Sequence, residues 1–507
     1  MKRIITLIIS IALFTATFTV GAYTVKQYNN GDVTRDGNVN VKDATVIQEY
    51  VAKMRKFDPM QEKLADVNLD SFINVKDATL VQKVIAKLDV MPDEGITTPS
   101  DTVKPTETQQ PTQTVTETVT QKPTETQPAT SPDDEIVPKV TIYYKDSLNW
   151  SKVYYYLYSS DGKKQAKDWP GVTPAEGSTS AGMKTYKYDV DVSEFDRVVF
   201  TNGTDKSMDV PLSIASTGFT PKSGTKGKDG KYVIEKYRAG KMIRGKLTTT
   251  TLEYSSGYNK KIWIYTPADY SETSDRKFPT IYMTDGQNLF SDHKDGYGGW
   301  DVEGAVDGLL ANTGKSAIVV GIDNGNNKRD SELTPNIGAI NSAIPAGEAK
   351  NYQNGTGKAF SEFVVNKVMP YVRENYKSSD EREENCVCGS SSGGLEAFYI
   401  GMENKDKFGT IGALSPAFLL FDDTVWNNYL NKFTLTDSSI PKLYLYCGNN
   451  DSLEKDLYTF TNDMHKRLLK KGFPQDKLVY SIFEPGIHNE QWWRMYFPEV
   501  LTLFFAK

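Results

Sequence analysis

The sequence predicts a multidomain chain: a small all-α unit of paired loop–helix repeats, a small all-β sandwich, and a C-terminal α/β domain. Three observations predict it. Residues 32–53 and 66–87 repeat each other. A middle stretch is dense in aromatic and β-branched residues between turn residues. In the last half, apolar runs of strand length alternate with amphipathic helical patterns. At 507 residues the chain exceeds one ordinary domain.

The first residues read as an export signal, 1–22. Lys2 and Arg3 precede the mainly apolar run Ile4 to Val20, and Val20-Gly21-Ala22 offers small residues for cleavage. Secretion and an extracellular location follow, and no later apolar run is long enough to span a bilayer. The repeat, placed at 29–90, reads DVTRDGNVNVKDATVIQEYVAK and then DVNLDSFINVKDATLVQKVIAK. Each copy sets acidic and polar residues at alternate positions and runs into an amphipathic helix. Residues 91–137 are dominated by Thr, Pro, Gln and Glu. Such a composition cannot bury a core and reads as an extended linker.

From 138 to 238, VTIYYKD, KVYYYLYSS, KTYKYDVDV and RVVFTNG read as short strands of a small antiparallel sandwich. From 240 to 507, the strands KIWIYTP, FPTIYMTD, SAIVVGID, NCVCG and KLYLYCG alternate with helices such as WDVEGAVDGLLANTG and DLYTFTNDMHKRLLKKG. That alternation implies a largely parallel sheet with helices on both faces. Cys386, Cys388 and Cys447 are too few, and odd in number, for a disulfide scaffold. They read as buried thiols. Lys+Arg number 59 against Asp+Glu 65, so the basic excess of a nucleic-acid binder is missing.

Gly389-Ser390-Ser391-Ser392-Gly393 satisfies G-x-S-x-G between the strand ENCVC and a helix, the context of a nucleophile elbow. This makes the α/β domain an α/β-hydrolase type. Only Ser391 has glycines two residues away on both sides. A serine hydroxyl needs a base, and the chain has three histidines. His293 lies in a loop and His465 on a helix; His488 follows the strand KLVYSIFE, where this architecture places its base. The acid should lie between Ser391 and His488. Asp451 ends KLYLYCG in the turn Gly448-Asn449-Asn450-Asp451 and is the favoured candidate. Glu454 and Asp456 are near competitors, read as residues that suit the next helix's N-terminus. The oxyanion hole requires two backbone N–H groups, expected from Ser392 and Gln287.

Residues 245–507 resemble the Putative esterase family, which includes carbohydrate esterase family 1 (feruloyl and acetylxylan esterases) and the enterochelin esterases. YMTDGQNLF, IVVGIDNGNNKRDSELTP, GSSSGG, YCGNND and PGIH carry the resemblance. It too implies Ser391, Asp451 and His488 as nucleophile, acid and base. The family usually has a bulky residue such as Met where Ser392 stands.

The N-terminal repeat resembles a dockerin, on the pattern D-x-[ND]-x-D-G-x-x-[ND]-x-x-D. The resemblance implies two calcium ions and a cohesin partner. The ligands would be Asp32, Thr34, Asp36, Asn38, Asn40 and Asp43 in one loop, and Asp66, Asn68, Asp70, Phe72, Asn74 and Asp77 in the other. Thr34 replaces the usual Asn or Asp, and Ser71 the usual Gly. Val41-Lys42 and Val75-Lys76 stand where a dockerin meets its cohesin.

The middle segment resembles starch-binding modules of carbohydrate-binding families 25 and 26, on NWSKVYYYLYSSDGK, DWPG and VVFTNGT. Tyr154, Tyr156 and Trp169 would form its sugar platform. Tyr154 and Tyr156 share one strand face, and Tyr155 points the other way.

The expected function is a secreted serine esterase that removes acetyl or feruloyl groups from plant polysaccharide. Its chemistry asks for no metal; calcium belongs to the loops. The alternative is a glycan-binding protein on an esterase-like scaffold.

Overall fold

The computed structural model describes residues 31–34, 39–51, 55, 57, 61, 64–65, 67, 73 and 75–85, and then 139–506 except 181–182, 292–297 and 484–485. The signal-peptide and linker readings lie outside the described residues. The N-terminal residues form one compact unit, and the sandwich and α/β residues together form another.

In the N-terminal unit, helices α1 (Val41–Val51) and α2 (Val75–Ile85) begin at equivalent points of the two repeats. Val33, Ala44, Val46, Ile47, Leu64, Ala65, Val67, Ala78 and Val81 are buried apolar residues among those described.

The middle segment is a two-sheet sandwich. One sheet joins β1 (Lys139–Asp146), β3 (Ala175–Ser180), β4 (Met183–Asp191), β7 (Gly218–Lys226) and β8 (Tyr232–Tyr237) in the order β3-β4-β1-β7-β8. The other joins β2 (Tyr154–Tyr158), β5 (Arg197–Thr201) and β6 (Val210–Pro211). Pairing is antiparallel except between β1 and β7, which a long connection makes parallel. Alternate burial along β2 follows from the period-2 strand: Tyr155 and Leu157 enter the core, and Tyr154, Tyr156 and Tyr158 face outward.

The C-terminal sheet has eight strands: β9 (Lys246–Ser255), β10 (Tyr258–Thr266), β11 (Thr280–Met283), β12 (Ile318–Ile322), β13 (Asn385–Ser390), β14 (Thr410–Leu414), β15 (Lys442–Gly448) and β16 (Leu478–Phe483). Their order is β9-β10-β12-β11-β13-β14-β15-β16. The first three pair antiparallel and the rest parallel. This is the α/β-hydrolase arrangement. β11 to β14 are buried at every residue, as helices on both faces require. Four helices matter below: α3 (Val302–Thr313), α4 (Ser392–Glu403), α5 (Ser452–Lys470) and α6 (Glu490–Phe505). Cys386, Cys388 and Cys447 are free and buried.

Sandwich and α/β domain share one apolar cluster. It includes Tyr144, Phe200, Met208, Leu212 and Phe219 of the first with Val306, Leu309, Tyr446, Phe497 and Leu501 of the second. Polar contacts cross between them as well. Arg197 meets Glu499 at 2.7 Å, and the Asn312 amide donates to the carbonyls of Ile214 and Ser216. Gly308 of α3 lies so close that an added Cβ would stand 2.8 Å from the Ala215 carbonyl.

Candidate active site

Parallel strands end along one edge of a sheet, and there the chain turns back through loops that carry chemistry. Ser391 stands in the turn from β13 into α4. Its backbone, φ 59° and ψ −129°, is a conformation that costs a non-glycine residue about 1–3 kcal/mol. Gly389 and Gly393 make the turn possible. A Cβ on either would stand 2.2–2.3 Å from Thr284 Oγ1. The turn is clamped by the next loop: Ser391 N–H donates to the Leu414 carbonyl and Ala417 N–H to the Ser391 carbonyl, both at 3.0 Å.

His488 lies on the loop between β16 and α6. Its ring Nδ1 is 3.1 Å from Glu454 Oε1. Glu454 is fully buried. Its other oxygen accepts from the Cys447 thiol at 2.9 Å and from Gly448 N–H at 3.1 Å. Burial alone would raise this carboxyl. His488, by hydrogen bond and charge, and the donors Cys447 and Ser415 outweigh it and hold the group below its ordinary value. Glu454 is thus a carboxylate aimed at an imidazole.

Asp451 departs from the sequence expectation. Its Oδ1 accepts from Glu454 N–H at 2.7 Å, which caps α5, and its Oδ2 accepts from His488 N–H at 2.8 Å. Both oxygens serve the backbone, and the ring is met by Glu454. The physical reason is the first turn of α5. Asp451 takes the N-cap, so Glu454 three residues on projects back over the same helix end. Glu454 was visible as a competitor, and Asp451-x-x-Glu454 was the signal that separates the two roles. Asp456 lies further along α5. The His465 ring lies 4.6 Å from that of Tyr480, tilted by 34°, and His293 lies outside the described residues.

Ser392 is the first residue of α4 and Gln287 sits in the short turn Gly286–Asn288. Amides at such first positions lack an intrahelical acceptor and can point at a developing oxyanion. The Gln287 loop is pinned at two points. A Cβ on Gly286 would come within 2.6 Å of the Gly321 backbone in β12. Asp285, at φ 56°, receives Arg329 Nε at 2.7 Å, Arg329 Nη2 at 3.0 Å and Asn324 Nδ2 at 2.6 Å. The pair joins YMTDGQNLF to IVVGIDNGNNKRDSELTP, two stretches that the sequence alone showed only as separate signatures.

On the sandwich, Trp169 is 44% exposed and its ring centre lies 5.5 Å from that of Tyr156. Trp169 Nε1 donates to the Gly203 carbonyl at 3.2 Å, which fixes the indole plane. Tyr154 is half-buried on the same strand face.

In the N-terminal unit Asp32, Asp43 and Asp77 are fully buried. Asp43 accepts from Thr34 N–H and Asn40 N–H, each at 2.8 Å, and so closes its loop. Thr34 Oγ1 is buried with no hydrogen-bond partner. Buried carboxylates beside an unpaired hard oxygen fit a calcium ion. Asp36, Asn38, Asp66, Asn68, Asp70, Phe72 and Asn74 lie outside the described residues. Among the described residues, no helix is long and apolar enough to cross a membrane.

Three family models match. Residues 255–504 match the family described as Putative esterase, residues 30–86 the Dockerin type I domain, and residues 142–210 Starch-binding module 26. A curated relative of Bacillus subtilis (strain 168), described as Uncharacterized protein YbbA, is 23% identical over 265 residues, which span 50% of this chain and 96% of that one. An acetyl esterase of Caldicellulosiruptor saccharolyticus is 25% identical over 186 residues, 30% of this chain and 67% of that one. A solved CE1 ferulic acid esterase from Anaeromyces mucronatus is 19% identical with a TM-score of 0.39, covering 53% of this chain and 94% of that one. The chain therefore carries in order a segment that matches the dockerin type I domain, one that matches starch-binding module 26 and a C-terminal segment that matches the Putative esterase family.

Proposed function

We propose that the C-terminal domain is a serine carboxylic-ester hydrolase that removes acetyl or feruloyl groups from plant polysaccharide. The observation that carries this is the imidazole of His488 set against the buried Glu454 carboxylate, on the sheet edge where Ser391 occupies a strained elbow. Ser391 Oγ attacks the ester carbonyl while His488 takes its proton. The amides of Ser392 and Gln287 receive the oxyanion. His488 then returns the proton to the sugar alkoxide, and water clears the acyl-enzyme by the same steps. Glu454 fixes the tautomer and stabilises the imidazolium. Asp451 holds the backbone on which that imidazole rides.

The other modules place this chemistry. Tyr154, Tyr156 and Trp169 offer ring faces to a glucan. Asp32, Thr34, Asn40, Asp43 and Asp77, with the remaining loop donors, would hold two calcium ions that order the dockerin for a cohesin on a scaffold protein. The leading residues 1–22 would export the chain.

The test uses the full chain with p-nitrophenyl acetate and methyl ferulate. Ser391→Ala should lose about three or more orders of magnitude in kcat. Glu454→Gln should lose about 10³–10⁴-fold, as when a triad acid stops fixing the tautomer. Asp451→Asn should keep the cap, since Asn caps as well as Asp, and chiefly lose the acceptor for His488 N–H, about 1–3 kcal/mol of stability. If a folded Asp451→Asn falls as far as Glu454→Gln, the roles of the two acids are reversed. If wild type is no faster than Ser391→Ala on either ester, the glycan-binding reading replaces the enzyme.

A further inference from the structure

We propose that Ser415 and Trp493 are positioning residues that lock the acid–base pair to the nucleophile turn. The proposal rests on the acyl-transfer reading above.

Ser415 immediately follows β14, fully buried, with φ 44°. A non-glycine residue held there stores strain and persists only where the surroundings over-determine it. Its surroundings are specific. Ser415 N–H donates to the Tyr446 carbonyl at 2.6 Å. Its Oγ accepts the indole N–H of Trp493 at 3.1 Å. Ser415 also neighbours the Glu454 carboxyl and helps hold it below its ordinary value. An oxygen already accepting from the indole has its own O–H to give to that carboxylate.

Trp493 closes the circuit. Its ring stands edge-on to the His488 imidazole, centres 5.0 Å apart at 89°. Its other neighbour is Trp300, at 5.6 Å. The connections run from the elbow through its backbone bonds to the loop that carries Ser415, from Ser415 to the indole, from the indole to the imidazole, and from the imidazole to Glu454. The same loop also grips the nucleophile. Leu414, just before Ser415, accepts from Ser391 N–H, and Ala417, just after it, donates to the Ser391 carbonyl. The Ser415 loop therefore ties the base to the elbow through the indole, and the ring cannot tilt without disturbing that edge contact and its own bond to the Glu454 carboxylate.

The test is the rate at which an alkyl fluorophosphonate labels Ser391 in the full chain. Oγ bonds to phosphorus, fluoride leaves, and His488 takes the proton, so the rate reads activation of the serine without needing the natural substrate. Glycine suits φ 44° better than serine does, so Ser415→Gly removes the hydroxyl and relieves the strain together. The labelling rate should fall about 10- to 100-fold, as for loss of a hydrogen bond to a charged group. The acid limb of the pH profile should move to higher pH, because Glu454 then concentrates its charge on the imidazolium. A loss that was merely structural would scale the whole profile without moving it. Trp493→Phe keeps the ring and loses the N–H. It should slow labelling too, and the double variant should be no slower than the worse single, since both cut one path. Ser415→Gly and Trp493→Phe both labelling at the wild-type rate would overturn this proposal alone. No labelling of wild-type Ser391 would overturn the acyl-transfer reading and this proposal with it.

Discussion

At His488 the partner of the ring is decided by which side chain is free to reach it. Asp451 and Glu454 sit three residues apart in a pattern that also caps a helix, and a capping aspartate is committed to backbone N–H groups. The elbow serine and the histidine were legible, because a strand–turn–helix frame and a count of three histidines leave little choice. The carboxylate that meets the imidazole was legible only to within one helical turn. Glu396 was not legible at all. It lies on α4 behind the elbow, fully buried, with neither oxygen hydrogen-bonded. Burial drives its carboxyl well above the usual carboxylate range. The folded state therefore keeps a proton that the unfolded chain releases above about pH 4.3. Stability must fall as pH rises from there toward the folded value, because the unfolded state then binds fewer protons. Glu396→Gln removes that slope. Its urea midpoint relative to wild type should improve between pH 5 and pH 8, and an advantage that does not grow with pH would sink the argument.

Elements were legible where their period was clear. α3 falls within WDVEGAVDGLLANTG, and β10 to β13 and β15 fall on the apolar runs read as strands. β14 was missed. Its residues, TIGAL, are small and short, with neither the aromatics nor the β-branched run that marked its neighbours. The missed strand delivers Ser415. The oxyanion loop was legible as a motif, but its support was not, since Asp285 and Arg329 are 44 residues apart. Their side chains are 7% and 17% exposed. Arg329 is pushed above its ordinary value by Asp285, against a burial that would lower it. Asp285→Asn would leave that guanidinium buried without its counter-charge. Breaking a buried pair from one side costs about 3–5 kcal/mol. Urea unfolding should show that loss together with slower turnover, since the Gln287 amide rides on the same loop. A variant as stable as wild type would mean the loop is held by Gly286 packing alone.

Over the whole molecule, the sequence divides sandwich from hydrolase at 238–240, because strand patterns give way to alternating ones there. Pattern reports secondary structure, whereas the contact between modules is made by residues far apart in the chain. Glu499 on α6 shows this. One oxygen pairs with Arg197 of β5, and the other accepts from Tyr444 at 2.5 Å and Ser481 at 2.8 Å, both in the central sheet. Lys222 of β7 reaches Gln491, three residues beyond His488, at 2.7 Å. Arg238, on the stretch joining the modules, meets Asp301, Glu303 and Asp307 around the start of α3. With a shared apolar cluster beneath these contacts, the sandwich is an integral wall of the hydrolase. The two should unfold together in calorimetry of the full chain, as one transition separate from that of the dockerin. Arg197→Met strands the Glu499 carboxylate, in a pair whose side chains are only 13% and 12% exposed. It should lower that joint transition by several degrees, the scale on which a few kcal/mol move a domain of this size. Separate sandwich and hydrolase transitions, with only one of them shifted by Arg197→Met, would show instead that the module is a tethered passenger whose glycan platform moves independently of Ser391.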